Sequence, residues 1–207
     1  LMKRDEFFSI WSKLHMGAEI SGIVKGWLSI SYAIARVLNF LRITPNLLTL
    51  GGIVFAAAAL FYPTSIIALI LLILSLICDG VDGSVAIVGR RQSQLGAVAD
   101  SIADRITEAL WFAALYQWGI PAEISLALFT LALVQEYARA RMASLGFEEI
   151  GVVTIAERPV RASAIAIFMV LDLLNFSFAP IAIYIFTAMA LFSVYQVMKA
   201  ARGYLVQ

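Results

Sequence analysis

Four aspartates near the middle of the chain, Asp79, Asp82, Asp100 and Asp104, have the residue type and spacing for metal chemistry. Asp79 and Asp82 are three residues apart and Asp100 and Asp104 four apart, so on helices each pair projects from one face. Between the two segments lies only the short basic loop Gly89, Arg90, Arg91, Gln92, Ser93, Gln94. A loop that short makes the two helices antiparallel neighbours, and the aspartate pairs are expected to face each other near one end. Four carboxylates at such proximity repel, and their pKa values rise unless a cation neutralises them. A divalent metal is the natural solution. With no histidine or thiolate cluster beside them, the all-oxygen donors suit Mg²⁺, Mn²⁺ or Ca²⁺ and not zinc or copper. A pair of such ions clamping phosphoryl oxygens would account for so much acidity in one place.

The surroundings sharpen that demand. The chain has 207 residues, of which 62% are hydrophobic and only 14% charged, with a mean hydropathy of +0.91. Soluble domains carry about 25% charged residues, so a soluble α/β domain is excluded and the chain belongs in a bilayer. There an ionised side chain at a helix centre costs about 2.5–3.5 kcal/mol even on the lenient insertion scale. The apolar stretches are roughly twenty residues long, the length a helix needs to cross a hydrocarbon core about 30 Å thick.

The expected fold is therefore an all-α integral membrane protein of six transmembrane helices, over residues 45–62, 65–88, 95–118, 123–145, 158–174 and 181–201. Thr44 is placed to cap the first and Pro45 to occupy its first turn. Gly119-Ile120-Pro121, Gly146 with the connection 147–157, and the turn 175–180 provide further breaks. Residues 1–44 hold Phe7, Phe8, Ile10, Trp11 and Leu14 at near-helical spacing among Lys13, Glu19 and Lys25. They read as a juxtamembrane segment forming an N-terminal interfacial amphipathic helix, not as a cleavable signal peptide. Residues 45–207 read as one six-helix membrane domain, with no repeat or low-complexity tract.

All fifteen lysines and arginines fall on one side of that arrangement, from Lys3 through Arg90, Arg91, Arg139, Arg141, Arg158 and Arg161 to Arg202. The turns near Pro63, Pro121 and Phe178 contain none. The positive-inside rule then puts both termini and the aspartate end of the helices in the cytoplasm. Gly80, Gly83 and Gly96, with Ala86 and Ala97, surround the aspartates and allow either close helix packing or room for a ligand. Cys78 reads as a small core residue, and His15 as a surface residue without a role.

Asp79-x-x-Asp82-Gly83-x-x-Ala86 followed by Gly96-x-x-x-Asp100-x-x-x-Asp104 resembles the signature of the CDP-alcohol phosphotransferase family. Thr44-Pro45-Asn46-Leu47-Leu48-Thr49 resembles the family's approach to its first span, and the six-helix layout covers most of the chain. The resemblance implies that Asp79, Asp82 and Asp100 hold one or two Mg²⁺ or Mn²⁺ ions on the donor's pyrophosphate, with Asp104 as a further ligand and as the general base. It implies that Asn46, Thr49, Gly83, Ala86 and Ser93 line the CDP site. The reaction it implies is attack of an acceptor hydroxyl on the β-phosphorus of a CDP-linked lipid, with CMP leaving. A homodimer in the cell (inner) membrane and no nucleic-acid partner are the corresponding expectations. One position departs: the arginine that usually follows Ala86 is Ile87, and Arg90 or Arg91 are the neighbours able to supply a cation instead.

A second constellation comprises Tyr137-Ala138-Arg139-Ala140-Arg141 and Ile155-Ala156-Glu157-Arg158-Pro159. Arginine forks match phosphate oxygens, so Arg139, Arg141 and Arg158, joined by Arg202, are expected to converge on an acceptor's phosphate. The alternative is anchoring to lipid headgroups, which carries more weight for Arg161 than for Arg139, Arg141 and Arg158. These segments resemble the phosphatidylinositol phosphate synthase branch of the family and related archaeal enzymes, which implies inositol phosphate, a phosphorylated polyol, as acceptor. Glycerol 3-phosphate, giving phosphatidylglycerol phosphate, is the rival acceptor. A CDP-lipid-binding paralogue with weak or no catalysis is a further alternative, motivated by Ile87. A cation transporter is disfavoured because inverted repeats and interrupted helices are missing from the pattern.

Overall fold

The computed structural model describes residues 2–15, 17–146 and 154–205. Among them the secondary structure is entirely helical: α1 (Arg4–Leu14), α2 (Gly22–Phe40), α3 (Pro45–Ala59), α4 (Ile66–Val88), α5 (Gln94–Gln117), α6 (Ala122–Ser144), α7 (Arg158–Leu173) and α8 (Ala179–Leu205). Two compact units divide the chain: Leu1–Ala56 with Leu74–Thr107, and Ala57–Ile73 with Glu108–Gln207. Most of the connection expected over 147–157 lies outside the described residues.

In the first unit α1 packs on α2 through Phe7, which is fully buried with its ring 5.3 Å from that of Tyr32. The Tyr32 hydroxyl donates to the Met2 carbonyl at 2.7 Å and ties the start of the chain to α2. The N-terminal segment is therefore two helices and not one, because Gly17 and Gly22, both at positive φ, break the register between them. α2 ends with Arg42 in the left-handed region (φ 61°) and the Ile43 N–H donating to the Leu38 carbonyl at 2.9 Å. The Thr44 hydroxyl then accepts from the Leu47 N–H at 3.3 Å and opens α3, with Pro45 as its first residue. That is the cap the sequence predicts. Between α2 and α3 the chain axis turns by 108°. Further along α3 the Ser75 hydroxyl reaches the Gly52 carbonyl at 2.8 Å, and a Cβ at Gly52 would stand 3.4 Å from the Ser75 carbonyl. The missing side chain lets α3 and α4 approach.

In the second unit α8 packs against both α6 and α7. Leu115, Ile165, Phe168, Met169, Ile183 and Phe186 are all buried there. Gly119 at φ 88° lets the Ile120 N–H return to the Leu115 carbonyl, closing α5 at the expected turn. Pro180 falls within the first turn of α8, where it costs no hydrogen bond, so this helix starts slightly earlier than its expected span.

The chain is a membrane protein, and among the described residues two helices are long and apolar enough to cross a bilayer alone, α4 and the Ala179–Gly203 part of α8. The bent pair α2 and α3 makes up to three. α3 and α7, at 15 and 16 residues, are short for a span. α5 and α6 carry Asp100, Asp104, Arg105 and Glu108 or Glu123, Glu136, Arg139 and Arg141, so hydropathy alone does not mark them.

Candidate active site

α4 and α5 bring the aspartates together from the positions the spacing predicts. One carboxylate oxygen from each of Asp79, Asp100 and Asp104 lies within 4.8 Å of the other two, all three side chains being half-buried. Asp82, 5% exposed, accepts the Thr49 hydroxyl at 2.6 Å and the Gly83 N–H at 2.6 Å. The expected quartet is thus three clustered carboxylates plus one oriented by α3. An oxygen-only set of like charges at this separation fits a hard divalent cation.

The helix ends fix this register. Arg90 takes the left-handed region (φ 52°) so that the Arg91 N–H can donate to the Ala86 carbonyl at 2.8 Å, ending α4. The Ser93 hydroxyl accepts the Gly96 N–H at 3.0 Å and starts α5. Ser93 therefore has a structural duty beside its predicted place in the CDP site. Around the cluster the glycines differ. A Cβ at Gly80 would meet the Trp27 ring at 2.8 Å, so Gly80 is a packing contact, whereas Gly83 faces open space with nothing within 4 Å. Asn46 is exposed and Ala86 half-buried.

Ile87 is 3% exposed and belongs to an apolar cluster with Met2, Phe7, Leu28, Val81, Val85 and Val88. The position where the resemblance led one to expect arginine is a packing position for α1 and α2. Arg90, a candidate to replace that cation, pairs with Glu6 at 2.8 Å on an exposed surface.

All four predicted arginines, Arg139, Arg141, Arg158 and Arg202, belong to the second unit. Arg139 donates from both terminal nitrogens to Glu157, from Nη1 at 2.9 Å, and lies 3.8 Å from Glu136. Glu157 also accepts from the Thr154 N–H at 2.6 Å and the Thr154 hydroxyl at 2.9 Å. Burial by itself would raise the Glu157 carboxyl. The Arg139 fork and the Thr154 donors outweigh that and hold it below its ordinary 4.5. Arg158 stands with its guanidinium carbon 5.3 Å from the centre of the Trp111 ring. Arg141 is exposed and bonds to Ser144 of its own helix at 3.3 Å, and Arg202 is exposed in the last turn of α8.

Arg161, for which headgroup anchoring is a weighed alternative from sequence, is 1% exposed. It bonds to Glu108 at 2.6 Å, to Glu136 at 3.0 Å and to the Ala156 carbonyl at 2.9 Å. Breaking such a buried pair costs about 3–5 kcal/mol, because the remaining charge stays buried without compensation. Glu108 and Glu136 escaped the sequence reading. The available signals were the four-residue step from Asp104 to Glu108 and the three-residue step from Glu136 to Arg139.

A family model described as CDP-alcohol phosphatidyltransferase matches residues 42–198. The chain belongs to the CDP-alcohol phosphatidyltransferase family. It is accordingly a transferase of substituted phosphate groups in phospholipid biosynthesis. Archaetidylinositol phosphate synthase of Aeropyrum pernix is 38% identical over 149 residues, 70% of this chain and 76% of that protein. Phosphatidylinositol phosphate synthase of Corynebacterium glutamicum is 33% identical over 140 residues, 62% of this chain and 63% of that protein. The fold is shared with crystal structures of Mycobacterium tuberculosis phosphatidylinositol phosphate synthase. The one with CDP-DAG bound has a TM-score of 0.68 at 21% identity, covering 83% of this chain and 92% of that one. The one in complex with manganese and citrate has a TM-score of 0.70 at 20% identity, covering 82% and 87%. This member of the family keeps the four aspartates inside the matched segment and has α1 and α2 ahead of it.

Proposed function

We propose that this transferase moves a phosphatidyl group from CDP-diacylglycerol, or a similar CDP-lipid, to inositol phosphate and releases CMP. The observation that carries the reading is the clustering of Asp79, Asp100 and Asp104 within 4.8 Å beside the Thr49-bound Asp82. The names of the two relatives favour a phosphorylated polyol as acceptor.

In this reading Asp79, Asp82, Asp100 and Asp104 would hold Mg²⁺ or Mn²⁺, as two ions. Bound metal supplies positive charge against the pyrophosphate and the leaving CMP. Asp104 takes the proton of the acceptor hydroxyl as its oxygen bonds to the β-phosphorus. The bond from that phosphorus to the bridging oxygen breaks, and CMP carries the electron pair away. Thr49 fixes the Asp82 carboxylate, while Asn46, Gly83, Ala86 and Ser93 border the CDP moiety, with Gly83 leaving space against the backbone. Arg139, Arg141, Arg158 and Arg202 receive the acceptor's phosphate. Positioning and electrostatics do most of the work in phosphoryl transfer.

We propose for the whole chain the six-span arrangement, with residues 1–44 as a juxtamembrane amphipathic segment and 45–207 as the membrane domain. Both termini and the active site are then cytoplasmic at the inner membrane, and the enzyme is a homodimer. The one-sided distribution of the fifteen Lys and Arg residues supports the orientation.

The test is CMP release by purified protein in detergent with CDP-diacylglycerol and Mg²⁺, offering inositol phosphate, inositol, glycerol 3-phosphate and serine in parallel. Release with inositol phosphate that vanishes in Asp104→Asn is the expected result. Release with glycerol 3-phosphate alone would overturn the acceptor. No release with any acceptor would leave a CDP-lipid-binding paralogue, the reading motivated by Ile87.

A further inference from the structure

The Arg161 guanidinium is enclosed together with its partner Glu108, each 1% exposed, and no part of the proposed reaction uses it. It stands 1% exposed, and each of its three nitrogens donates to an acceptor on a different segment: Nε to Glu108 of α5, Nη2 to Glu136 of α6, and Nη1 to the Ala156 carbonyl just before α7. A guanidinium in this state does not serve a ligand directly. Its effect passes through what it holds.

Two of those partners lead to Arg139. Glu136 lies 3.8 Å from the Arg139 guanidinium, one helical turn away on α6. Ala156, fully buried, precedes Glu157, the residue that takes both terminal nitrogens of Arg139. The short turn carrying Glu157 is also fastened from other directions. The Gln135 amide donates to the Thr154 hydroxyl at 2.9 Å, the Ala156 N–H donates to Ser193 at 2.9 Å, and the Ile155 N–H donates to Gln196 at 3.3 Å. Of these ties only Arg161 joins the turn, α6 and α5 through one rigid group. Lysine in its place has a single nitrogen and cannot meet three acceptors that converge on a planar fork from three sides.

We propose that Arg161 is a positioning residue for the acceptor subsite: by fixing Glu136 and the 154–157 turn, it sets the plane and place of the Arg139 fork that receives the acceptor's phosphate. This rests on the reading of Arg139 given under Proposed function. Displacements of about 1 Å in a positioning group are enough to cost up to 10²-fold, so the effect falls on acceptor recognition and leaves the donor site alone.

The experiment measures CMP release with CDP-diacylglycerol and inositol phosphate as varied substrates, for the full chain and for Arg161→Lys, Glu108→Gln and Arg139→Gln, with a melting temperature for each. Arg161→Lys is expected to raise KM for inositol phosphate about tenfold or more while KM for CDP-diacylglycerol stays within about twofold. A merely structural arginine would instead lower kcat and the melting temperature with both KM values unchanged, and that outcome overturns the inference. Should Arg161→Lys fail to fold, Glu108→Gln weakens the Nε arm of Arg161 and keeps the Glu136–Arg139 pair. A rise of about threefold in acceptor KM supports the inference, and an unchanged KM overturns it. Arg139→Gln separates the two levels. If it raises acceptor KM and Arg161→Lys does not, the positioning role alone is wrong. If it changes nothing, the acceptor subsite itself is elsewhere.

Discussion

The aspartate cluster gathers mostly like charges, three half-buried carboxylates within 4.8 Å with Arg105 3.7 Å from Asp104, whereas the arginine cluster interleaves opposite ones throughout, with Glu108, Glu136 and Glu157 against Arg161 and Arg139. The first arrangement is raised in energy by its own repulsion and gains from a cation. The second is compensated from within and gains rigidity. Substitutions should therefore divide in the two places: in the first, activity falls while stability holds or rises, and in the second the two fall together.

The largest expected effect is at the aspartates. Asp100→Asn should reduce CMP release by about 10²–10³-fold or more, the scale of losing one electrostatic group aimed at the transition state. Its melting temperature in metal-free buffer should equal or exceed that of the parent, since one repelling charge is gone. A variant that loses stability and activity together would break the comparison. Next comes Ile87→Arg, which drives a charge into the apolar cluster beneath α1 and α2. A loss of roughly 3 kcal/mol, the order for an uncompensated buried charge, should appear as a lower melting temperature, and turnover should not improve. A gain in turnover would show that position 87 reaches the donor after all.

Gly83→Ala is a finer probe. Nothing lies within 4 Å of the added methyl group, and alanine favours the helix by up to about 1 kcal/mol. Stability should hold or increase slightly. If the open space belongs to the CDP moiety, KM for the CDP-lipid rises, and an unchanged KM removes Gly83 from the donor site.

The smallest effect is in acid. The Glu157 carboxyl lies below 4.5 when folded, so its stabilising contribution is complete above that value and fades as pH falls through the folded pKa. Melting curves between about pH 3 and 7 should show the parent losing stability at the acid end more steeply than Glu157→Gln, which has nothing to titrate there. Parallel slopes would mean that the Arg139 pairing contributes no net stability.

Sequence reading reached some of these features and not others for physical reasons. Helices α4 to α8 were legible within about two residues of their expected bounds at nearly every end, because long apolar runs are punctuated by Gly119, Gly146 and Asn175 at positive φ. The facing of Asp79 toward Asp100 and Asp104 follows from spacing and a short loop alone. Arg161 was not legible, since its partners Glu108 and Glu136 are distant in sequence, and a basic residue near a helix start satisfies the positive-inside pattern whether it is exposed or enclosed. The two-helix form of the N-terminal segment was hidden by the polar stretch between Leu14 and Gly22, and the 108° turn before α3 by the non-glycine left-handed residue Arg42.

The family match begins at residue 42, yet Val81, Val85, Ile87 and Val88 of α4 are covered by side chains from residues 2–35. A shortened chain starting at the matched segment would keep Asp79, Asp82, Asp100 and Asp104 and still bare an oily strip on the helix that carries two of them. Such a truncation is expected to be recovered as aggregates or as protein dependent on extra detergent. The leading helices thus serve as the solubilising cover of the helix that carries Asp79 and Asp82.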